Sequence, residues 1–180
     1  YMKNSMDLLE DNGHQLNFSN IIKLASTKWN FLKFKPGLVG GHCLPVDPYY
    51  FSYIYKKKKF NTKITLAGRY INDQMAQVVK DIIKSKLKEM KLKKNTKILI
   101  CGLTYKKNVA DLRNSLALKI LKMFKNKNKY IKGFDPLIDS NTAKNNGLFT
   151  NANQIKNFDV FIVLTNHSKM KKILKKVNKN

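Results

Sequence analysis

Two cysteines in 180 residues, Cys43 and Cys101, are too few for a disulfide framework, and Cys101 lies inside an apolar strand pattern. A reducing, cytoplasmic setting is expected. The only histidines are His14, His42 and His167, and no cysteine–histidine spacing of the metal-binding kind occurs, so a zinc site has little support and no metal is expected. No stretch approaches the ~20 apolar residues that a membrane span requires. The chain opens at Tyr1 without a charged-then-apolar leader, so neither a signal peptide nor a natural start is expected, and the sequence reads as a piece of a longer protein. Also missing is a Gly-x-Gly-x-x-Gly run. The strand-ending turn Gly102-Leu103-Thr104-Tyr105 lacks the spacing that lets a backbone cradle a pyrophosphate.

Acid is scarce as well: 11 acidic residues face 36 basic ones, for a net charge of +25. A basic surface of that size binds phosphate chains by releasing counterions, which raises a nucleic-acid reading. The charge is nearly all lysine, however, scattered along every segment beside abundant Asn and Ile. That pattern reads as a drift of composition, and no specific nucleic-acid partner is expected. Arginine occurs only at positions 69 and 113. A planar, forked donor for phosphate or carboxylate is thus present at two positions in a chain that otherwise uses lysine.

What is present suffices for a folded domain with a helical appendage, since 43% of residues are apolar, including ten Phe and eight Tyr. Residues 1 to about 27 read as two short helices, with Asn17-Phe18-Ser19-Asn20 offering caps for the second. Thr27 to Tyr50 reads as an irregular, glycine-rich loop, and Lys56 to Lys59 as a solvated helix end or loop. From about Thr62 to Met90, Ile64, Ala67, Ile71, Met75, Val78, Val79, Ile82 and Ile83 recur at helical spacing, which predicts a long spine helix. After Lys93-Lys94-Asn95 the period changes. Strands are expected at 97–101, 130–134 and 160–164, with a helix from Ser115 to Phe124 between the first two. The class is therefore α/β: a helical segment with its spine helix, then a Rossmann-like parallel sheet.

The densest chemical signal is the run from Lys35 to Tyr50, where Gly40-Gly41-His42-Cys43-Leu44-Pro45-Val46-Asp47 places a thiol in a loop cushioned by glycine and stiffened by proline. Glycines let backbone lie close to a ligand, and Pro45 and Pro48 restrict the end of the loop. A lone cysteine ordinarily fills space, but here access and a carboxylate four residues on point to a nucleophile, Cys43, with Asp47 handling protons. As a bare residue, Asp47 is a loop cap beside Pro48. Trp29 is assigned to the core. His42 stays outside the catalytic set, because neighbouring side chains of an extended loop point apart.

Gly-Gly-x-Cys-x-Pro-x-Asp resembles the nucleophile loop of the nucleotide-sugar 6-dehydrogenases, the enzymes similar to UDP-glucose dehydrogenase. Further blocks keep the family's order: Thr27-Lys28-Trp29-Asn30-Phe31, Ala67-Gly68-Arg69-Tyr70-Ile71-Asn72-Asp73, Gly102-Leu103-Thr104-Tyr105-Lys106, Asp111-Leu112-Arg113-Asn114-Ser115 and Asp135-Pro136. The first of these, with Leu38-Val39-Gly40-Gly41-His42-Cys43, is most similar to the branch that oxidises UDP-N-acetylhexosamines for surface polysaccharides.

The resemblance implies residues 1–92 as part of a central helical, dimer-forming domain and 93–180 as a truncated UDP-sugar-binding domain, with NAD held mainly by an N-terminal domain that this chain lacks. The isolated chain is accordingly expected to be inactive. It further implies Cys43 and Asp47 as catalytic; Gly40, Gly41, Tyr105, Lys106, Arg69, Asn72 and Lys28 as substrate-binding; and Arg113 as a cofactor contact. For Arg113 a salt bridge to Asp111 or Asp135 competes, and for Arg69 and Asn72 plain interdomain bonding does. The expected activity is an NAD-dependent, four-electron oxidation of a UDP-N-acetylhexosamine to its uronate. UDP-glucose is an alternative substrate, and a non-catalytic nucleotide-sugar-binding or dimerisation module is an alternative of another class.

Overall fold

A computed structural model describes residues 18–32, 37–125 and 129–177. The chain divides after Gly37 into two compact units. In the first, α1 (Phe18–Ala25) runs into a series of turns, with the Ser26 hydroxyl closing back on the Ile22 carbonyl at 2.6 Å. The helix expected ahead of α1, and Asn17, lie outside the described residues. Ser19 and Asn20, expected as caps, stand inside α1. Trp29, expected in the core, is 92% exposed on the turn after α1, where no element of its own unit packs over it among the described residues.

The second unit opens with the cysteine loop. The reading of an irregular segment to Tyr50 is corrected here, because a helix, α2 (Asp47–Lys57), already starts at Asp47. Pro48 sits in its first turn, where proline's missing N–H costs nothing and its fixed φ suits the helix. Lys56 and Lys57 close that helix, consistent with a solvated helix end.

Next comes the spine, α3 (Lys63–Glu89), within a residue of the periodicity at each end. Its narrow buried stripe of Arg69, Ala76 and Ile83 keeps the sevenfold spacing that holds residues on one helix face. Ala76 and Ile83 join the core that underlies the sheet.

Three parallel strands complete the unit: β1 (Ile98–Cys101), β2 (Ile131–Phe134) and β3 (Val160–Val163), in the order β2-β1-β3. Ile98 pairs with Ile131 on one side and Val160 on the other. A four-residue apolar run without alternation is what a central strand buried on both faces requires. Ile98 and Ile100 face one cluster, shared with α3 and with α4 (Leu116–Lys125), the crossover between β1 and β2. Leu99 and Cys101 face the other, with Phe134, Ile155 of a short 3-10 turn (Ala152–Asn157), and Met170 of α6 (Ser168–Val177). Fully buried Leu99, Ile100, Leu103, Ile120 and Leu121 each contribute roughly 1.5–3 kcal/mol of hydrophobic stabilisation.

Between β2 and β3 lies α5 (Ser140–Asn145), hidden in the Asn-rich stretch. It starts because the Asp139 carboxylate accepts the Asn141 and Thr142 amides at 3.0 and 2.9 Å.

Candidate active site

The cysteine loop is held against the turns that leave β1. Gly41 N–H donates to the Arg113 carbonyl at 3.1 Å, and the Asn114 side-chain amide donates to the Gly41 carbonyl at 2.8 Å. A Cβ on Gly40 would lie 2.6 Å from the Asn114 carbonyl oxygen, and one on Gly41 2.9 Å from the Tyr105 ring. Gly41 also has φ +95°, a conformation that favours glycine. Both expected glycines are thus required by close packing, and the surface they touch carries Tyr105.

Beyond the glycines the chain turns. Val46 and Asp47 N–H both donate to the Cys43 carbonyl at 2.9 Å, which leaves the Cys43 side chain exposed and seats Asp47 at the start of α2. Asp47 stands in the first turn of the helix, where its charge complements the positive end.

Arg69 and Asn72 face this loop from α3. The Arg69 side chain is only 9% exposed and pairs with Asp73 at 3.0 Å. Asp73 in turn accepts the Tyr49 hydroxyl at 3.0 Å, and the Tyr49 ring lies 5.9 Å from the guanidinium carbon. Asn72 donates to the Val39 carbonyl at 3.3 Å. Arg69 Nε is buried without a partner among the described residues, a cost that a bound acceptor would relieve. Arg69, Asn72 and Asp73 line a cavity of about 330 Å³ with Val39, Pro45 and Val46 of the cysteine loop, and with Asn114 to Leu116 and Lys119 at the start of α4.

Arg113 is two-thirds exposed and grips Asp111 through two nitrogens, at 2.7 Å from Nη2 and 3.0 Å from Nε. Of the two competing salt bridges, the one to Asp111 forms; Asp135 is engaged elsewhere. The Arg113 side chain and then its backbone N–H hold the Asp111 carboxyl below its usual range. The same hydrogen bond holds the guanidinium proton more firmly, with smaller contributions from Tyr105 and Cys43. The helix expected at Ser115 begins one residue later, because the Ser115 hydroxyl accepts the Leu118 amide at 3.2 Å and donates to the Leu103 carbonyl at 2.5 Å.

Lys106 is exposed on the turn after Tyr105, beyond the carboxyl end of β1. Lys28 is exposed on the turn after α1, in the first unit.

Sequence reasoning passed over Asn114, Lys119, Tyr49 and Asp73, and it left aside a buried cluster of Thr104, Asp135 and His167. Asn114 carried one signal, its place within a motif block; its φ of +48° shows the role only in the fold.

A dinucleotide does not fit the end of β1. Gly102 has φ +73°, and a Cβ there would lie 1.9 Å from the Thr165 carbonyl oxygen, so this glycine serves the close approach of the β3 end and not a phosphate. Asp135, where such folds offer a carboxylate to a ribose, is fully hydrogen-bonded within the protein. Among the described residues no group of His, Cys, Asp or Glu side chains could hold a metal ion.

Residues 2–74 match the central domain of the UDP-glucose/GDP-mannose dehydrogenase family, and residues 99–180 match the UDP binding domain of the same family. UDP-N-acetyl-D-glucosamine 6-dehydrogenase from Pseudomonas aeruginosa is 41% identical over 68% of this chain and 29% of its own length. UDP-N-acetyl-D-mannosamine dehydrogenase from Methanococcus vannielii is 33% identical over 89% of this chain and 36% of its own. Among solved structures, the UDP-D-ManNAc dehydrogenase of Pyrococcus horikoshii superimposes with a TM-score of 0.74, at 27% identity, over 99% of this chain and 41% of that one. The chain thus spans about a third of the length of these curated relatives.

Proposed function

This chain belongs to the UDP-glucose/GDP-mannose dehydrogenase family, and from that premise we propose that it carries the thiol and the nucleotide-sugar end of an NAD-dependent UDP-N-acetylhexosamine 6-dehydrogenase that makes an aminosugar uronate for surface polysaccharide. The observation that carries the reading is the docking of the exposed Cys43 loop, through Gly40 and Gly41, onto the turn that bears Tyr105 and Lys106. The loop that carries Cys43 thereby packs on the residue next to Lys106, which supports reading the two as the thiol and as a cationic anchor for a diphosphate.

Oxidising a primary alcohol to a carboxylate passes through an aldehyde that must not escape. Cys43 is assigned to hold it: the sulfur bonds to the carbonyl carbon, and the oxygen takes up a proton, giving a thiohemiacetal. At the acyl stage water attacks the thioester, the C–S bond breaks, and Asp47 accepts the proton of that water. No hydride step is assigned to this chain, since the end of β1 does not fit a dinucleotide; NAD is assigned to a domain outside residues 1–180, with Arg113 as this chain's contact to it. Tyr105, Lys106, Arg69, Asn72, Gly40 and Gly41, all of the second unit, are assigned to the UDP-sugar.

We take the domain border at 92/93, a position that falls in the interval between the two family matches, and the setting as cytoplasmic, as the family resemblance implies. No described helix is long and apolar enough to cross a membrane. Exposed Ile64, Tyr70, Ile71, Val78 and Ile82 on α3 support dimer formation through the helical part. The absence of a dinucleotide fit favours, as a second reading, a module that binds nucleotide sugar without turning it over.

Calorimetric titration of the chain with UDP-N-acetylglucosamine tests the site. Lys106→Ala is expected to weaken binding by ~1.5–3 kcal/mol, the worth of a charge-assisted hydrogen bond, while Lys57→Ala changes little. Undiminished affinity in the Lys106 variant would remove the site. Uronate formation by the 180-residue chain with NAD alone would overturn the division of labour. In the complete enzyme, Cys43→Ala is expected to abolish uronate formation while Cys101→Ala leaves the chemistry intact; equal loss from both would remove Cys43 as the nucleophile.

A further inference from the structure

The cluster of Thr104, Asp135 and His167 is entirely buried, lies outside the cavity described above, and is polar in the middle of an apolar fold. One Asp135 oxygen accepts the Leu103 N–H at 2.6 Å and the Thr104 N–H at 3.2 Å, and it lies 3.1 Å from His167 Nε2. The other oxygen accepts the Leu137 N–H at 2.9 Å. On the far side of the imidazole, Nδ1 lies 2.9 Å from the Asn108 N–H. A backbone N–H only donates, so Nδ1 carries a lone pair and the ring proton sits on Nε2. Nε2–H is then shared between the Asp135 carboxylate and the Thr104 hydroxyl, 3.0 Å away. That hydroxyl sends its own hydrogen to the Lys106 carbonyl at 3.1 Å.

The bonds converge on one short turn. His167 touches it at Thr104 and at Asn108, and Lys106 lies between. Asn108, at φ +60°, adds a clamp of its own: its side chain accepts the Ser168 N–H at 3.0 Å and donates to the Ser168 hydroxyl at 3.2 Å. Thr165 donates to the Thr104 carbonyl at 2.8 Å, and the Tyr105 N–H closes the turn onto the Asp111 carbonyl at 3.1 Å. Among the described residues Lys106 has no ion pair to fix its backbone, so its place is set by the groups on either side.

We propose that His167 is a positioning residue for nucleotide-sugar binding: as the neutral, Nε2-protonated imidazole it locks the Thr104–Asn108 turn to the start of α6 and so sets Lys106, and the Tyr105 ring beneath the cysteine loop, in their binding geometry. This rests on the assignment of Tyr105 and Lys106 to the UDP-sugar. Glutamine at 167 offers one acceptor and one donor in a similar span and restores the lock. Phenylalanine keeps the ring and removes both.

The test is calorimetric titration of the full chain with UDP, with thermal unfolding measured alongside. His167→Phe is expected to weaken UDP binding by about tenfold or more, the scale of a lost charge-assisted contact, and His167→Gln to recover most of it. Adding Lys106→Ala to His167→Phe is expected to cost little further, because histidine acts through the lysine. Asn108→Gly keeps the left-handed backbone and the N–H that meets His167 Nδ1 and loses only the clamp on Ser168, so it tests the premise that a loosened turn costs UDP affinity even if His167→Phe does not fold; a several-fold loss is expected. In nitrogen NMR the imidazole is expected to show an unprotonated Nδ1 and a protonated Nε2. UDP affinity unchanged in both Asn108→Gly and the folded His167 variant, or losses from His167→Phe and Lys106→Ala that add in full, would overturn the proposal while leaving the site assignment standing. Failure of the unaltered chain to bind UDP would overturn the site assignment and the proposal with it.

Discussion

The two thiols differ in their access to solvent. Cys43 is exposed on its loop, whereas burial, and to a lesser degree the Asp135 charge, pushes the Cys101 thiol up to about 12. Iodoacetamide at pH 8 is therefore expected to label Cys43 and spare Cys101, read as one adduct by peptide mass spectrometry; modification of Cys101 in folded protein would contradict its burial. The same burial links stability to pH. The folded-state thiol binds its proton more tightly than the unfolded one, so the contribution is fully present below the ordinary thiol value of 9.0 and is lost as pH rises toward 12. Thermal midpoints measured from pH 8 upward should fall in wild type, with a shallower fall in Cys101→Ala. Gly40 makes a different demand, since a methyl there meets a carbonyl oxygen and not a yielding side-chain tip. Gly40→Ala is expected to cost about 1–3 kcal/mol by overpacking and to loosen the cysteine loop, read as a lower denaturation midpoint and faster alkylation of Cys43.

At the scale of elements, β1 was legible as a short apolar run between Lys97 and Gly102, β3 as an apolar run after Asp159, and β2 as a segment closed by Asp135-Pro136, while the spine helix was legible because its apolar residues keep one period for seven turns. What escaped has local physical causes. Tyr49 to Tyr55 is so uniformly aromatic that α2 carries no amphipathic signal, and its start is set by a turn onto the Cys43 carbonyl. The helix α5 has a single buried residue, Ala143, and exists mainly through the Asp139 cap. The Thr104–Asp135–His167 cluster escaped because three polar residues far apart in sequence meet only when β1, β2 and the end of β3 are side by side. Arg69 and Asn72 were readable as a pair at helical spacing; that Arg69 is buried was not. Ser115 shows how one side chain sets a helix boundary. Ser115→Ala is expected to destabilise the fold by ~0.5–2 kcal/mol, the usual worth of an N-cap, seen as a shift of the urea midpoint at constant slope.

Taken whole, a molecule with a net charge of +25 repels itself at low ionic strength. Its thermal midpoint is expected to rise as sodium chloride is added from 10 to about 200 mM, because the Debye length shrinks from ~30 Å to under 10 Å over that range. A midpoint that falls with salt would mean that the lysines are paired more widely than the described ion pairs indicate. DNA binding, tracked in the same series by fluorescence anisotropy, is expected to fade steeply, as for scattered charge without a groove-fitting element. The order β2-β1-β3 also has a consequence for biosynthesis. The central strand leaves the ribosome before either neighbour exists, so at ~5–20 residues per second the segment Ile98-Leu99-Ile100-Cys101 waits seconds for Ile131 and longer for Val160. A bare apolar strand with two unpaired edges is the species most prone to meet another copy of itself. Lys93, Lys94 and Lys97 precede it, and Lys106 and Lys107 come soon after, so the strand is flanked by charges of the kind that keep exposed apolar segments apart. Replacing Lys93 and Lys94 together by alanine should leave the folded midpoint within ~0.5 kcal/mol of wild type, as for exposed surface sites, and raise the insoluble fraction made during translation.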